Sequence, residues 1–340
     1  MVADIAKANR SRKRAVVVCI ATTAAVATLE ILTGWWFQLI SVTAEGLHTA
    51  ADLLDSLVAF VLVVIASRPA DREHPYGHGK FDSLAAIIEG IFVGGAAVWA
   101  IVKASQILLG LVDAEPRPEP ATVAAMIVAS AVYIGVSGHV LRLARQTRSP
   151  AVYAEAMHLR THVYITIGLA ASLLLSRAGL SYGWEHAGRI DPMVALVLGA
   201  YLLSVAYRMI RPALSQLMDT AVPQEELKEI TACLDEFRNE FVEVHAVRAR
   251  RAGTDRHVDI HLMVPAETTV QEAHRLSHQI EGRLVERHPG TRLLVHIEPA
   301  LGSALRAYEQ RDRVGLVVAG PPSPAEREAT HHEDHRAHET

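Results

Sequence analysis

Two pairs of side chains, each pair four residues apart, have the donor types of a metal site. His48 and Asp52 lie in the run Glu45-Gly-Leu-His48-Thr-Ala-Ala-Asp52-Leu-Leu-Asp55. His158 and His162 lie in Glu155-Ala-Met-His158-Leu-Arg-Thr-His162. On a helix an i, i+4 pair stacks on one face. Two helices offering two donors each make a four-coordinate N/O site, which Zn²⁺ accepts readily. The alternative is that these residues hydrogen-bond helix to helix without an ion, but matching pairs on two separate segments favour the ion. Glu45 and Asp55 broaden the stripe of the first pair. Arg160 lies off the face of the two histidines and is expected to snorkel or to pair with Glu155. Glu30 and Glu89 are either pore-lining or interhelical. A third group sits in Asp71-Arg-Glu-His74-Pro-Tyr-Gly-His78-Gly-Lys80, where a carboxylate and two imidazoles share a short run with tight-turning glycines.

The elements that must position these residues read as membrane helices. Half of the 340 residues are hydrophobic and only 5% are aromatic, and the apolar ones concentrate before about residue 215. Six stretches are long enough to cross a bilayer: Ala15–Ile40, Val42–Ser67, Ser83–Val112, Thr122–Leu143, Ala151–Ser176 and Pro192–Ile210. The first is too long in its apolar core to be a cleavable signal. An ionisable side chain inside such a span is costly and therefore a functional candidate. Lys7, Arg10, Arg12, Lys13 and Arg14 precede the first span; Arg68, Arg72 and Lys80 follow the second, Arg142, Arg145 and Arg148 the fourth, and Arg208 and Arg211 end the sixth. The opposite connections hold only Arg117, Arg177 and Arg189, so both termini are expected in the cytoplasm. The net charge of −4 excludes a generally basic nucleic-acid binder. Cys19 and Cys233 form neither a disulfide framework nor a CxxC zinc site, which leaves His, Asp and Glu, with 18 histidines available.

From Pro223 the pattern becomes soluble. An acidic helix (Gln224–Arg238) precedes strands at Val242–Arg250 and His257–Val264, a helix at Thr269–Glu286 and a strand at Leu293–Glu298. The second strand alternates with period 2. The order αββαβ predicts a small open-faced α+β domain of the ferredoxin-like type. Thr268 or Thr269, with Glu272, reads as a capping box. After about Gly302 the chain is Pro-rich and charged, with His331, His332, His335 and His338, and is expected to be disordered. Those histidines either concentrate metal or simply face solvent. The expected organisation is a basic N-terminus (1–14), a six-helix transmembrane domain (15–215), a soluble metal-binding domain (216–300) and a tail (301–340).

These residues together resemble the cation diffusion facilitator family, over Ala15 to Pro299. The resemblance implies six transmembrane helices, a cytoplasmic ferredoxin-like domain, and exchange of Zn²⁺ or a related metal for protons by a homodimer. The family's transport site uses His or Asp, three residues, then Asp on the second helix, and His, three residues, then Asp on the fifth. His48 and Asp52 fit, whereas His162 replaces the last Asp. With neutral imidazoles the four ligands then carry −1 rather than −2. The extra nitrogen favours Zn²⁺, Co²⁺ or Ni²⁺ over Mn²⁺. The string His74-Pro-Tyr-Gly-His78-Gly-Lys80 matches the family's most recognisable segment and implies a second metal site of Asp71, His74 and His78. Lys80 is implied to pair with Asp219, tying the bundle together at the dimer interface. His245, His261, His274, His296 and Glu298 fall where the family places cytoplasmic ligands, implying a binuclear site that bridges two protomers. His278 is equally readable as a surface residue.

The function expected is proton-coupled antiport of a divalent metal, Zn²⁺ first and Fe²⁺, Co²⁺, Ni²⁺ or Cd²⁺ as alternatives, from a bacterial inner membrane. The metal is both substrate and regulatory ligand of the soluble domain, and no cofactor is expected. The partners expected are metal ions, protons, lipid and a second copy of the chain, and no nucleic acid. Two other classes use the same residues. An intramembrane metalloenzyme needs an open coordination position and a general base; no HExxH string occurs, and Glu45 and Glu155 are the nearby candidates. A membrane-anchored sensor has no use for ligand pairs at matched depth. A protein that is not an enzyme is therefore expected.

Overall fold

A computed structural model describes residues 2–36, 40–112, 120–184 and 189–300. The tail after 300 lies outside the described residues, as do the side chains of Glu45 and His48. Six long helices come first: α1 (Val2–Trp36), α2 (Ile40–Ala66), α3 (Lys80–Leu108), α4 (Pro120–Thr147), α5 (Pro150–Ser181) and α6 (Ile190–Leu217). They build one compact unit, Ala6–Met218, and a second unit begins at Asp219.

Among the described residues, α1, α2, α3, α4 and α6 each carry a stretch long and apolar enough to cross a membrane. Helix α5 carries Glu155, His158, Arg160 and His162 in its first half, and its sequence turns apolar from Val163 onward. Between Ala151 and Val163 almost every side chain is buried, and α5 packs against α3, α4 and α6. An enclosed segment needs no lipid-facing apolar surface, so this half of α5 can carry the polar groups, while Ile167, Leu174 and Leu175 beyond it are exposed. Helices α3 and α6 approach closely where side chains are smallest. A Cβ on Gly90 would lie 2.5 Å from Ile210 Cγ1, and one on Gly199 would lie 2.6 Å from Ile101 Cγ1. Small residues at crossings allow such contact without a hydrophobic driving force between helices.

The first helix begins at Val2 rather than Ala15, so the basic N-terminal segment is helical. No Gly or Pro interrupts it before Gly34, and Arg12 gives it a tertiary anchor. Only 1% exposed, Arg12 donates to Asp82 in the first turn of α3, and to Asn9 Oδ1 at 3.1 Å. Asp82 also accepts from Ser149 Oγ at 2.7 Å, and Ser149 Oγ accepts from Val152 N at the start of α5. One buried carboxylate thus fixes the same end of α1, α3 and α5.

The second unit contains α7 (Gln224–Asp235), a 3₁₀ turn (Arg238–Glu240), β1 (Glu243–Ala252), β2 (Asp255–Pro265), α8 (Val270–Arg287) and β3 (Thr291–Ala300). The αββαβ order is as expected. The sheet runs β1-β2-β3, with β1 antiparallel to β2 and β2 parallel to β3. Val258, Ile260, Leu262 and Val264 alternate onto one face and pack against Ile230, Leu234, Leu276, Ile280 and Leu284 of the two helices. Odd-numbered residues of β2 line the other, open face. Of the two candidate caps, Thr269 is the one used: its hydroxyl accepts from Glu272 N at 3.3 Å, and Glu272 accepts from Thr269 N at 2.9 Å.

Glu226 on α7 is buried between Arg251 of β1 and Arg256 of β2. Burial alone pushes its carboxyl up, but Arg251 and then Arg256 outweigh it and hold the group below the usual carboxylate range. The ion pairs therefore stabilise the fold fully above the unfolded glutamate pKa of about 4.3, and the contribution fades as pH falls through the lower folded value. Glu226→Gln should destabilise the soluble unit at neutral pH by about 2–3 kcal/mol, because it leaves two guanidiniums without their counter-charge. Denaturant unfolding followed from pH 7 down to pH 3 checks this. A gap between the two proteins that does not narrow in acid would contradict it.

Candidate metal centres

The pairs on α2 and α5 meet inside the helical unit. His162 Nε2 is 3.4 Å from Asp52 Oδ2, and one ligand atom from each of Asp52, His158 and His162 lies within 4.8 Å of the others. Two donors each 2.0–2.1 Å from a tetrahedral ion are separated by about 3.4 Å, so this spacing suits an ion between them. Tyr133 stacks on His162, with ring centroids 4.9 Å apart, and fixes the plane of the imidazole. The backbone of His48 follows helix α2, one turn before Asp52; its side chain is outside the described ones.

A cavity of 380 Å³ reaches His162 and runs toward the start of α6, where Asp191 accepts from Ser172. Glu30 and Thr49 line it, and Thr49 Oγ1 donates to Glu30 Oε2 at 2.9 Å. Glu30 is therefore both interhelical and cavity-lining.

On its other side His158 meets two carboxylates that sequence reasoning did not rank. Its Nδ1 is 3.3 Å from Asp55 Oδ2 and 3.1 Å from Glu89 Oε1. The signals were present: Asp55 continues the Asp52 stripe at i+3, and Glu89 is an isolated charge in the middle of an apolar helix. Of the two expectations for Arg160, the pairing with Glu155 does not form among the described residues. Glu155 is fully buried and accepts from Ser56 Oγ of α2 at 3.4 Å. Three residues before His158 on α5, it faces the bundle rather than a basic side chain.

In the loop after α2, Asp71 sits between two imidazoles. His74 Nδ1 is 3.4 Å from its Oδ1, and His78 Nε2 is 3.4 Å from its Oδ2. The His74 N–H donates to Asp71 Oδ1 at 2.7 Å and the Glu73 N–H at 3.0 Å. Hydrogen bonding from the His74 backbone leads the causes that hold the Asp71 carboxyl below its usual range. His78 Nδ1 lies 3.2 Å from the Pro69 carbonyl, which can only accept, so Nδ1 is the donor there and Nε2 is the nitrogen directed at Asp71. Gly77, at φ 89°, makes the turn that brings His78 back. Lys80 Nζ donates to the Leu217 carbonyl at the end of α6, at 3.2 Å. In the second unit Asp219 accepts from Arg250 at 3.0 Å.

The soluble unit gathers a third group through strand register. His245 pairs with His261, and His261 with His296, so the three imidazoles stand side by side on neighbouring strands. Glu298, two residues along β3 and on the same face, lies among them: Oε1 is 2.7 Å from His261 Nδ1 and 3.6 Å from His296 Nε2, and Oε2 is 3.3 Å from His245 Nε2. A β-bulge follows His245, with Ala246 at φ 49°. A non-glycine residue there is strained, and bulges re-aim neighbouring side chains. His274 is placed elsewhere in this chain, on the exposed face of α8, with its ring centroid 4.4 Å from that of His278.

Comparison with known proteins agrees with this architecture. Residues 16–218 match the cation efflux transmembrane domain, and residues 222–300 match the cation efflux protein cytoplasmic domain. The Synechocystis sp. transporter sll1263 is 32% identical over 76% of this chain and 81% of its own length. The cation-efflux pump FieF of Klebsiella pneumoniae subsp. pneumoniae is 30% identical over 86% of this chain and 94% of its own. A solved structure of CzrB, a proposed zinc transporter, is 40% identical over 24% of this chain and 99% of its own, with a TM-score of 0.23. The chain therefore belongs to the cation efflux, or cation diffusion facilitator, family of integral membrane metal transporters.

Proposed function

We propose that this protein is a proton-coupled antiporter that exports a divalent transition metal, Zn²⁺ first, from the cytoplasm through His48, Asp52, His158 and His162. The observation that carries the reading is the convergence of Asp52, His158 and His162 from two helices, with Asp52 and His162 at metal-ligand spacing. Three nitrogens and one oxygen suit Zn²⁺, with Co²⁺, Ni²⁺, Cd²⁺ and Fe²⁺ as the further cargoes. Imidazole and carboxylate must shed protons to bind a cation, so metal and protons exclude each other at one site. Cytoplasmic metal displaces protons; rocking of the bundle exposes the site to the cavity beside His162, where protons displace the metal.

The basic residues at the α2–α3 and α4–α5 ends support cytoplasmic termini in a bacterial inner membrane. The protein would work as a homodimer. Metal at His245, His261, His296 and Glu298, with His274 contributed across protomers, would bias the dimer toward its transporting geometry. Asp71, His74 and His78 form an exposed, fast-exchanging site on the cytoplasmic side, and Lys80 with Asp219 would tie the bundle at the interface.

In proteoliposomes with an imposed pH gradient, Zn²⁺ flux should accompany counterflow of protons. Asp52→Ala should lower it by more than the roughly 10–100-fold typical of losing an outer-shell partner. Persistent flux in Asp52→Ala would sink the site, and flux indifferent to collapse of the pH gradient would sink the antiport. His162→Asp restores a ligand charge of −2 and adds an oxygen. It should keep Zn²⁺ transport while raising Mn²⁺ transport relative to the parent, read from competitive uptake of the two ions. Unchanged selectivity would remove His162 from the set of ligands that choose the cargo.

A further inference from the structure

We infer that Asp55, Glu89 and the Nδ1 side of His158 form a second intramembrane cation position for the same class of divalent transition metal, one helical turn from the Asp52–His162 pair, with His158 as the ligand shared between them. The inference rests on the transport reading above and adds a station to it.

Geometry supports it first. One ligand atom from each of Asp55, Glu89 and His158 lies within 4.8 Å of the others, and Nδ1 stands 3.3 and 3.1 Å from the two carboxylates. That spacing is close to the ~3.4 Å between donors around a tetrahedral ion. Burial supports it next. Glu89 is 1% exposed, Asp55 6% and His158 7%. Neither oxygen of Asp55, nor Glu89 Oε1, nor His158 Nδ1 has a hydrogen-bond partner among the described residues. No described lysine or arginine pairs with either carboxylate; their ion-pair partner is His158. Glu30 differs in having a hydroxyl donor: it accepts from Thr49 Oγ1 at 2.9 Å. Two buried carboxylates that share a single imidazole as their ion-pair partner in a membrane interior carry a large solvation penalty, which a bound dication removes.

Position and charge give the station its role. Asp55 is nearer than Asp52 to the loop end of α2, His158 is nearer than His162 to the start of α5, and Glu89 is on α3, which starts at that same loop. The second position therefore lies on the basic-loop side, whereas the 380 Å³ cavity meets His162 toward the start of α6. Two carboxylates and a neutral imidazole carry −2, enough to balance a dication. This makes good the charge that His162 does not supply one turn away. A neutral imidazole offers one lone pair at a time, so the ion sits either on the Asp55–Glu89 side or on the Asp52–His162 side. The two positions fill alternately, and an ion moves between them without leaving His158.

The test uses the full-length protein in nanodiscs, with Asp71→Ala and His245→Ala to weaken the sites outside the bundle. Zn²⁺ is measured by equilibrium dialysis and Co²⁺ by its tetrahedral absorption bands. Adding Asp52→Asn with His162→Ala should leave one bound ion per protomer, and adding Asp55→Asn with Glu89→Gln to that protein should remove it. With Asp52 and His162 intact, Asp55→Asn with Glu89→Gln should still bind an ion, which shows that the bundle is folded. Failure of the Asp52→Asn, His162→Ala protein to bind, or binding that survives loss of Asp55 and Glu89, overturns the second position alone. Absence of binding and flux in the parent overturns the transport reading and the station with it.

Discussion

Charge inside a bilayer has to be neutralised where it stands, and the helical unit is arranged around that constraint. Asp52, Asp55, Glu89, Glu155, His158 and His162 cannot face lipid, and each projects from a helix into the space between α2, α3 and α5. The cost of concentrating them falls on α5, which carries three of the six. It is affordable because α5 touches protein on nearly every side between Ala151 and Val163. Exposed hydrophobic side chains lie on the neighbouring helices, at Leu54, Phe92, Trp99 and Val197, and on the second half of α5, at Ile167, Leu174 and Leu175. The close approach of α3 and α6 at Gly90 and Gly199 belongs to the same arrangement, since it holds Glu89 at a fixed depth opposite His158.

The soluble unit solves a different problem with different means. A three-stranded sheet with helices on one face leaves the other open, and strand register places side chains in rows across it. His245, His261 and His296 occupy one such row, and Glu298 joins it from two residues along β3. Between His245 and Arg248 the register shifts by a bulge that sets Ala246 at positive φ. A strained backbone beside a cluster of imidazoles is what a functional site tolerates and a purely structural strand does not need.

Much of this was legible in the sequence, because the relevant spacings are local. The i, i+4 pairs, the Asp71–His74–His78 run, the period-2 strand and the αββαβ order depend on residues near each other in the chain. What stayed hidden depends on tertiary distance. Nothing local says that Glu89 faces His158, that Ser56 rather than Arg160 meets Glu155, or that Arg12 is buried against Asp82. Arg12 also misleads a hydropathy reading: a basic N-terminal run suggests a segment outside the span, whereas one buried ion pair lets α1 begin at Val2.

The three imidazole–carboxylate groups share a plan and differ in what surrounds them. Asp71, Glu298 and Asp52 each stand 2.7–3.4 Å from the nearest imidazole nitrogen. Asp71 is open to water, so a cation there would compete with bulk solvent and exchange quickly. Glu298, His245 and His261 are half-buried on the sheet and His296 is exposed beside them, and strand register sets their spacing. Asp52 lies within a helical bundle, where low dielectric would strengthen binding of a cation and its release would require another cation to take its place. Protons are the natural substitute, since every ligand in that group can take one. On the proposed reading, the same donor chemistry would give a fast-exchanging site at the surface, a more rigid one on the sheet and an exchange-limited one within the membrane, in step with how far each is enclosed.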